Sequence, residues 1–202
     1  MNFLFHMLLS GDDDQLLVGN FMGDFVKGPL QQGRFPEKVR QGVVLHRRID
    51  SYAEHHLLFR RSRGRIDPVY GHYRGILVDM FYDHLLVNDW ERWSDESFTA
   101  FLSRSRHVIE SHRNAIPAAM LPILPVIFDE LLPSYGTVEG IARALARLSR
   151  RVGRANPLSG GERELVRLHV ELKADFYGFT AEIINYASRL RESLVRPSFR
   201  SN

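Results

Sequence analysis

His46 and Asp50 stand four residues apart in His46-Arg47-Arg48-Ile49-Asp50. On a helix that spacing puts an imidazole and a carboxylate on one face, one turn apart, where they can share a divalent ion or pair with each other. Asp79 and Asp83 repeat the spacing in Asp79-Met80-Phe81-Tyr82-Asp83-His84, and His72 comes seven residues before Asp79. At about 100° per residue, His72, Asp79 and Asp83 fall within roughly 60° of one another on a continuous helix. Their neighbours are Ile76, Leu77, Val78, Met80, Phe81, Leu85 and Leu86. Two carboxylates in such company repel each other and lose hydration, a cost that a cation or an arginine offsets; the alternative is one carboxylate capping a loop and one facing water. Asp24 also lies in an apolar segment, with Asn20 four residues before it and Gly23 beside it. Glycine weakens a helix, so Gly23 marks a close approach by a backbone or a ligand. His6, in a nearly wholly apolar run, is either a site residue or a satisfied core histidine.

Together these segments suggest one chemistry. Hard oxygen donors with imidazole suit Mn²⁺, Mg²⁺ or Fe²⁺ better than a structural zinc. Such an ion, held between helices, activates water and neutralises charge on a phosphate. Arg47 and Arg48, beside His46, carry guanidinium groups that match phosphoryl oxygens. Asp12-Asp13-Asp14 reads as the acidic start of a helix.

The elements that must position these groups are helices. Helical periodicity dominates and strand alternation is weak throughout, which makes the chain all-α. A short buried helix is expected over 2–9 and a second over about 13–27, stopping at Gly28-Pro29. A third runs from about Pro36 to Ala53. Residues 54–68 read as basic and irregular, and a helix over about 69–88 carries Asp79, Asp83 and His84. Helices over about 96–113, 137–152 and 162–193 follow, the last bending at Gly178, while Pro122 and Pro125 break the apolar stretch 117–132. No repeat or linker divides residues 1–196, which read as a single domain, and 197–202 read as a frayed tail.

The chain has 202 residues, no cysteine, and a formal net charge of +3. That length buries a sizeable core, and the lack of cysteine excludes a disulfide framework, a zinc ribbon and a thiol nucleophile. The positive charge is arginine, since lysine occurs only as Lys27, Lys38 and Lys173. Arg60, Arg61, Arg63 and Arg65 form the densest cluster, and Arg143, Arg147, Arg150, Arg151 and Arg154 form a second, in which all but Arg151 follow helical spacing. Either set can meet an acidic partner or stay solvated; the first lies between the two segments carrying the candidate ligands. No nucleic-acid-binding motif accompanies them. The opening run Met1 to Leu9 lacks a basic leader, contains His6 and soon meets Asp12, so it does not read as a signal peptide. No apolar run reaches bilayer length, and the cytoplasm is the expected compartment.

Four segments then occur in a telling order: Met1-Asn2-Phe3-Leu4 with His6; Gly19-Asn20 with Asp24-Phe25-Val26-Lys27-Gly28; Gly42 with His46-Arg47-Arg48-Ile49-Asp50; and Asp79 with Tyr82-Asp83-His84, Leu86 and Trp90. In these the chain resembles the bacterial acyl-carrier-protein phosphodiesterases, also called ACP hydrolyases. The resemblance is strong over roughly residues 1–93 and rests on length and helical character beyond. It implies a single-domain helical bundle similar to the HD phosphohydrolase superfamily. It implies hydrolysis of the phosphodiester joining 4′-phosphopantetheine to a serine of holo acyl carrier protein, with manganese, or less well magnesium, as cofactor. It nominates Asp24, His46, Asp50, Asp79 and Asp83 as metal ligands, with His84 and His6 as catalytic histidines. The chain has no adjacent His-Asp pair; Asp83-His84 reverses that order.

The mechanism expected from these groups is attack by a metal-activated water, with Arg47 or Arg48 stabilising the equatorial oxygens and His84 or His6 protonating the leaving serine oxygen. Arg60, Arg61, Arg63 and Arg65 would dock the acidic carrier protein. Two other readings keep part of the pattern: an HD-type hydrolase of a nucleotide or other small phosphoester, and a non-catalytic helical module that binds an acidic protein.

Overall fold

The computed structural model describes residues 2–31 and 33–195, so the tail expected at 197–202 lies outside the described residues. Among the described residues there is no strand. The helices are α1 (Phe3–Leu8), α2 (Asp14–Phe21), α3 (Glu37–His55), α4 (Leu57–Arg65), α5 (Arg74–Asn88), α6 (Phe98–Ser111), α7 (Leu132–Ser134), α8 (Val138–Val152), α9 (Glu162–Arg167) and α10 (His169–Val195). Polar side chains start several of them. Asn2 Oδ1 accepts from the Phe3 amide, Asp13 from the Gln15 and Leu16 amides, Ser97 from Ala100 and Thr137 from Gly140. Each satisfies an amide that a helix leaves open at its first turn.

α2 and α3 touch backbone to backbone. A Cβ on Gly19 would lie 2.0 Å from the Val39 carbonyl oxygen, and one on Gly42 would lie 2.4 Å from that of Leu16. No side chain fits between, so the two glycines set the helix separation and bring Asn20 of α2 beside His46 of α3. α10 runs through the core, burying Leu172, Phe176, Phe179, Ile183 and Ala187 at helical spacing. Phe5 of α1, Tyr82 of α5 and Phe59 of α4 meet Phe176 or Phe179 with ring centroids 5.4–6.3 Å apart. The buried apolar residues form one connected cluster. α1 sits within it, with Leu4, Phe5, His6 and Met7 all buried.

Five expectations change at turns. The second helix stops at Phe21, and Asp24 lies instead on the single tight turn Gly23–Phe25. Residues 54–68 are mostly helix: His56 breaks α3 with an extended backbone, then accepts from the Leu58 amide to start α4. Gly71, at φ +50°, separates the tight turn Pro68–Tyr73 from α5, so His72 shares no helix face with Asp79. The last helix breaks at Leu168 and runs unbroken through Gly178, where a Cβ would lie 2.6 Å from Leu58 of α4. α8 ends at Val152 before Gly153 at φ +70°, which removes Arg154 from the Arg143–Arg147–Arg150 face. Arg154 turns instead to the Tyr73 hydroxyl and His72.

Candidate metal centre

His6 and His46 come from α1 and α3, far apart in sequence, yet their rings stack 3.8 Å apart at 17°. Asn20 fixes both. Its side-chain nitrogen donates to the His6 carbonyl at 2.6 Å and to Ser10 Oγ at 3.0 Å, so its Oδ1 is the atom facing His6 Nδ1 at 2.8 Å. Its backbone carbonyl accepts from His46 Nδ1 at 2.7 Å. Both acceptors are oxygens, so both Nδ1 atoms carry hydrogen. The two Nε2 atoms are thereby left facing Asp50. His6 Nε2 lies 3.2 Å from Asp50 Oδ1, and His46 Nε2 lies 3.2 Å from Asp50 Oδ2 and 3.5 Å from Asp24 Oδ1. Gly23 makes room for this: a Cβ there would lie 2.1 Å from Cγ of His46.

The electrostatics of the centre are divided. Burial and the stacked His46 bring the His6 imidazole down to about 4. Burial also opposes charge on His46, but hydrogen bonds and charge from Asp24 and Asp50 outweigh it and push the ring up to about 9. Burial likewise raises Asp50, yet its hydrogen bond from His46 holds it well below the usual carboxylate range. At neutral pH His46 is therefore charged and His6 is not. A neutral His6 with hydrogen on Nδ1 points its Nε2 lone pair at a carboxylate oxygen, an acceptor against an acceptor. A cation between them turns that contact into an attraction. His6, His46 and Asp50 offer ligand atoms all within 4.8 Å of one another, and two imidazoles with a carboxylate form a donor set that divalent first-row ions accept. These residues fit a metal ion.

A cavity of about 640 Å³ opens beside this group. Asp24, Asp50 and Asp79 line it together with the cations Lys27 and Arg151. Burial raises the Asp79 carboxyl above its ordinary value, with Asp50 adding to the effect.

Of the residues nominated from the sequence, the fold thus gathers His6, Asp24, His46, Asp50 and Asp79. The others stand elsewhere. Asp83 is wholly buried and accepts from the Leu4 and Phe5 amides at 3.4 and 3.3 Å, which ties α5 to the first turn of α1. Burial outweighs those bonds and raises its carboxyl to about 8. His84 donates from Nδ1 to the Tyr135 carbonyl at 2.8 Å and lines none of this cavity. Arg47 donates to the Val26 and Gly28 carbonyls at 2.9 and 2.8 Å, bracing the loop after Asp24. Arg61 and Arg65 pair with Asp175, a fully buried carboxylate that also accepts from Ser62 at 3.0 Å. Two members of the expected docking cluster thus fasten α4 to α10. Arg60 and Gly64 are exposed and Arg63 is half-buried on α4, while no α4 arginine lines the cavity.

Asn20 and Arg151 carry more of the centre than the sequence signals. Asn20 lies one turn before Asp24 in sequence, but nothing in that spacing reveals His6. Arg151 stood out only as one basic residue on α8. The Gly23→Ala variant should push His46 out of position. We expect any affinity of the site for a divalent ion to fall by about tenfold or more, as when residues supporting a ligand are lost, with about 1–3 kcal/mol less stability from overpacking. Calorimetric titration and urea unfolding measure the two effects.

A family model described as acyl carrier protein phosphodiesterase matches residues 1–183. The acyl carrier protein phosphodiesterase of Photorhabdus laumondii subsp. laumondii is 30% identical over 181 residues, covering 89% of this chain and 91% of that relative. The protein of the same name from Yersinia enterocolitica is 27% identical over 189 residues, covering 93% of this chain and 97% of the relative. No solved structure matches the chain. No helix among the described residues is long and apolar enough to cross a membrane. The chain belongs to the acyl carrier protein phosphodiesterase family.

Proposed function

We propose that this protein hydrolyses the phosphodiester between 4′-phosphopantetheine and the serine of holo acyl carrier protein, yielding apo protein and free 4′-phosphopantetheine. The observation that carries this reading is the His6–His46–Asp50 group on a cavity lined by further carboxylates and by cations, in a chain of this family. A cavity with both charge types suits a substrate that is anionic at phosphorus and whose cleavage needs water activation.

His6, His46 and Asp50 would hold the ion, with Asp24 as the nearest further carboxylate. Manganese fits this mixed nitrogen and oxygen set, and magnesium, which favours oxygen alone, fits it less well. A divalent ion there supplies Lewis-acid activation of water and neutralises phosphate charge. Asn20 orients both imidazoles for that task through its side chain and its carbonyl. Lys27 and Arg151, on the cavity wall, bind the non-bridging phosphoryl oxygens, the role expected of Arg47 from the sequence. Asp79, on the same wall and with its carboxyl raised by burial, is the group placed to pass a proton to the departing serine oxygen. The acidic carrier protein approaches along the arginines of α8, of which Arg151 lines the cavity, whereas no α4 arginine does.

Mass spectrometry of holo acyl carrier protein incubated with this protein and Mn²⁺ tests the reading. The expected result is loss of one phosphopantetheine, with the hydrogen of water returned to the serine. Retention of the whole prosthetic arm, or loss of an acyl group alone from an acylated carrier, would overturn it.

A further inference from the structure

A second cavity, of about 520 Å³, adjoins the first. Asn2, Phe3, Met80, Leu148 and Arg151 line both, so the two form one trough running away from the His/Asp group. Past Arg151 the walls turn apolar, with Ile127 and Leu131 on one side and Ala144 and Leu148 of α8 on the other. Two hydrogen-bond donors interrupt that apolar surface. Arg147 gives Nη2 to Glu130 at 2.7 Å, but its Nη1 is buried and has no acceptor. Tyr135, 2% exposed, accepts from the Asn2 side chain at 3.3 Å, while its own hydroxyl reaches only the Met80 sulfur at 4.0 Å. A buried donor without an acceptor costs free energy, and a thioether sulfur at that distance accepts weakly. Mostly apolar walls with a few unmet polar groups are the ordinary composition of a small-molecule site.

These walls would suit an occupant that is largely apolar, bears acceptors for Arg147 and Tyr135, and has an anionic end to meet Arg151. The pantetheine arm has this order of groups: a geminal dimethyl next to the phosphate, then two amide carbonyls. We propose that the trough beyond Arg151 is the binding subsite for that arm, with Arg147 Nη1 and the Tyr135 hydroxyl donating to its amide carbonyls. This rests on the function proposed above and adds to it. The protein grips the prosthetic arm itself as well as the phosphorus. A carrier protein without the arm loses these contacts, which favours release of the apo product.

Two substitutions probe the subsite without touching the His/Asp group. Ala119 lines the cavity and is exposed, so Ala119→Trp fills the trough from the solvent side. Arg147→Met removes the unmet donor and keeps the aliphatic stem. Calorimetry compares 4′-phosphopantetheine with inorganic phosphate on the Mn²⁺-loaded protein, with thermal melts checking that each variant folds. The wild type should bind 4′-phosphopantetheine at least tenfold more tightly than phosphate. Each variant should lose most of that advantage while its phosphate affinity stays unchanged. Equal affinities for the two ligands in the wild type, or an advantage that survives both substitutions, would overturn the subsite. The wild type's action on holo carrier protein is read separately: arm released but no arm preference defeats the subsite alone, and arm retained defeats the function.

Discussion

Asp50→Ala should abolish metal binding and Asp83→Ala should leave it intact, although the sequence offers both as ligands. Asp50 faces both Nε2 atoms at 3.2 Å. Removing it deletes a proposed ligand and, among the described residues, the carboxylate that both rings share. Loss of a supporting hydrogen bond already costs a metal site about 10–100-fold, so loss of a ligand should exceed about a hundredfold in Mn²⁺ affinity. Release of phosphopantetheine should fall by about a thousandfold or more, the scale of a lost water-activating and charge-stabilising group. Asp83 acts on a different link. It accepts from two amides at the start of α1, and α1 carries His6. Asp83→Ala leaves two buried donors unmet and should cost about 2–4 kcal/mol of stability. Metal stoichiometry by elemental analysis, turnover on holo carrier protein and urea unfolding separate the two variants. A metal-free Asp83→Ala protein with wild-type stability would reverse these assignments.

That contrast marks where the sequence stops being informative. Spacing of four residues identified both the His46–Asp50 and Asp79–Asp83 pairs, and helix geometry kept each on one face. What spacing cannot express is which face meets which partner. Asp79 and Asp83 are one turn apart on α5, yet Asp79 lines the cavity and Asp83 turns to the α1 backbone. The direction was decided by α1, a six-residue helix whose docking depends on packing from all sides. The all-α architecture was legible because apolar periodicity is local. The turns were less so. His56 ends one helix and begins the next by accepting from Leu58, and that single hydrogen bond turned a stretch read as irregular into α4. Gly23 was legible as a point of close approach, and its neighbour proved to be the His46 ring. The arginines misled for a physical reason. Charge in sequence is scored as if solvated, whereas Arg61 and Arg65 answer a fully buried Asp175 that lies more than a hundred residues away.

Mn²⁺ affinity should rise about tenfold for each pH unit from about 5 until it levels near 9, because one proton must leave for one ion to bind. The proton is on His46. In the metal-free protein Asp24 and Asp50 outweigh burial and hold that ring charged up to about 9. Its Nε2 offers no lone pair until the proton departs. His6 contributes no second proton, since burial beside His46 brings it down to about 4 and leaves it neutral across this range. Asp50, held far below the usual range, is ionised throughout. Folding of the metal-free protein has the opposite dependence. A ring whose folded value is about 9 against 6.5 in the unfolded chain contributes stability that is complete below 6.5 and is lost as pH rises through about 9. Bound metal replaces that proton, and its stabilisation grows as affinity grows. The gap in melting temperature between Mn²⁺-loaded and metal-free protein should therefore widen from pH 6 to pH 9. Calorimetry near pH 7 in two buffers of different ionisation heat should count about one proton released per ion. A count of zero would mean that His46 is already neutral, and a count of two would mean that both stacked rings are charged, against the division of charge on which the proposed metal site rests.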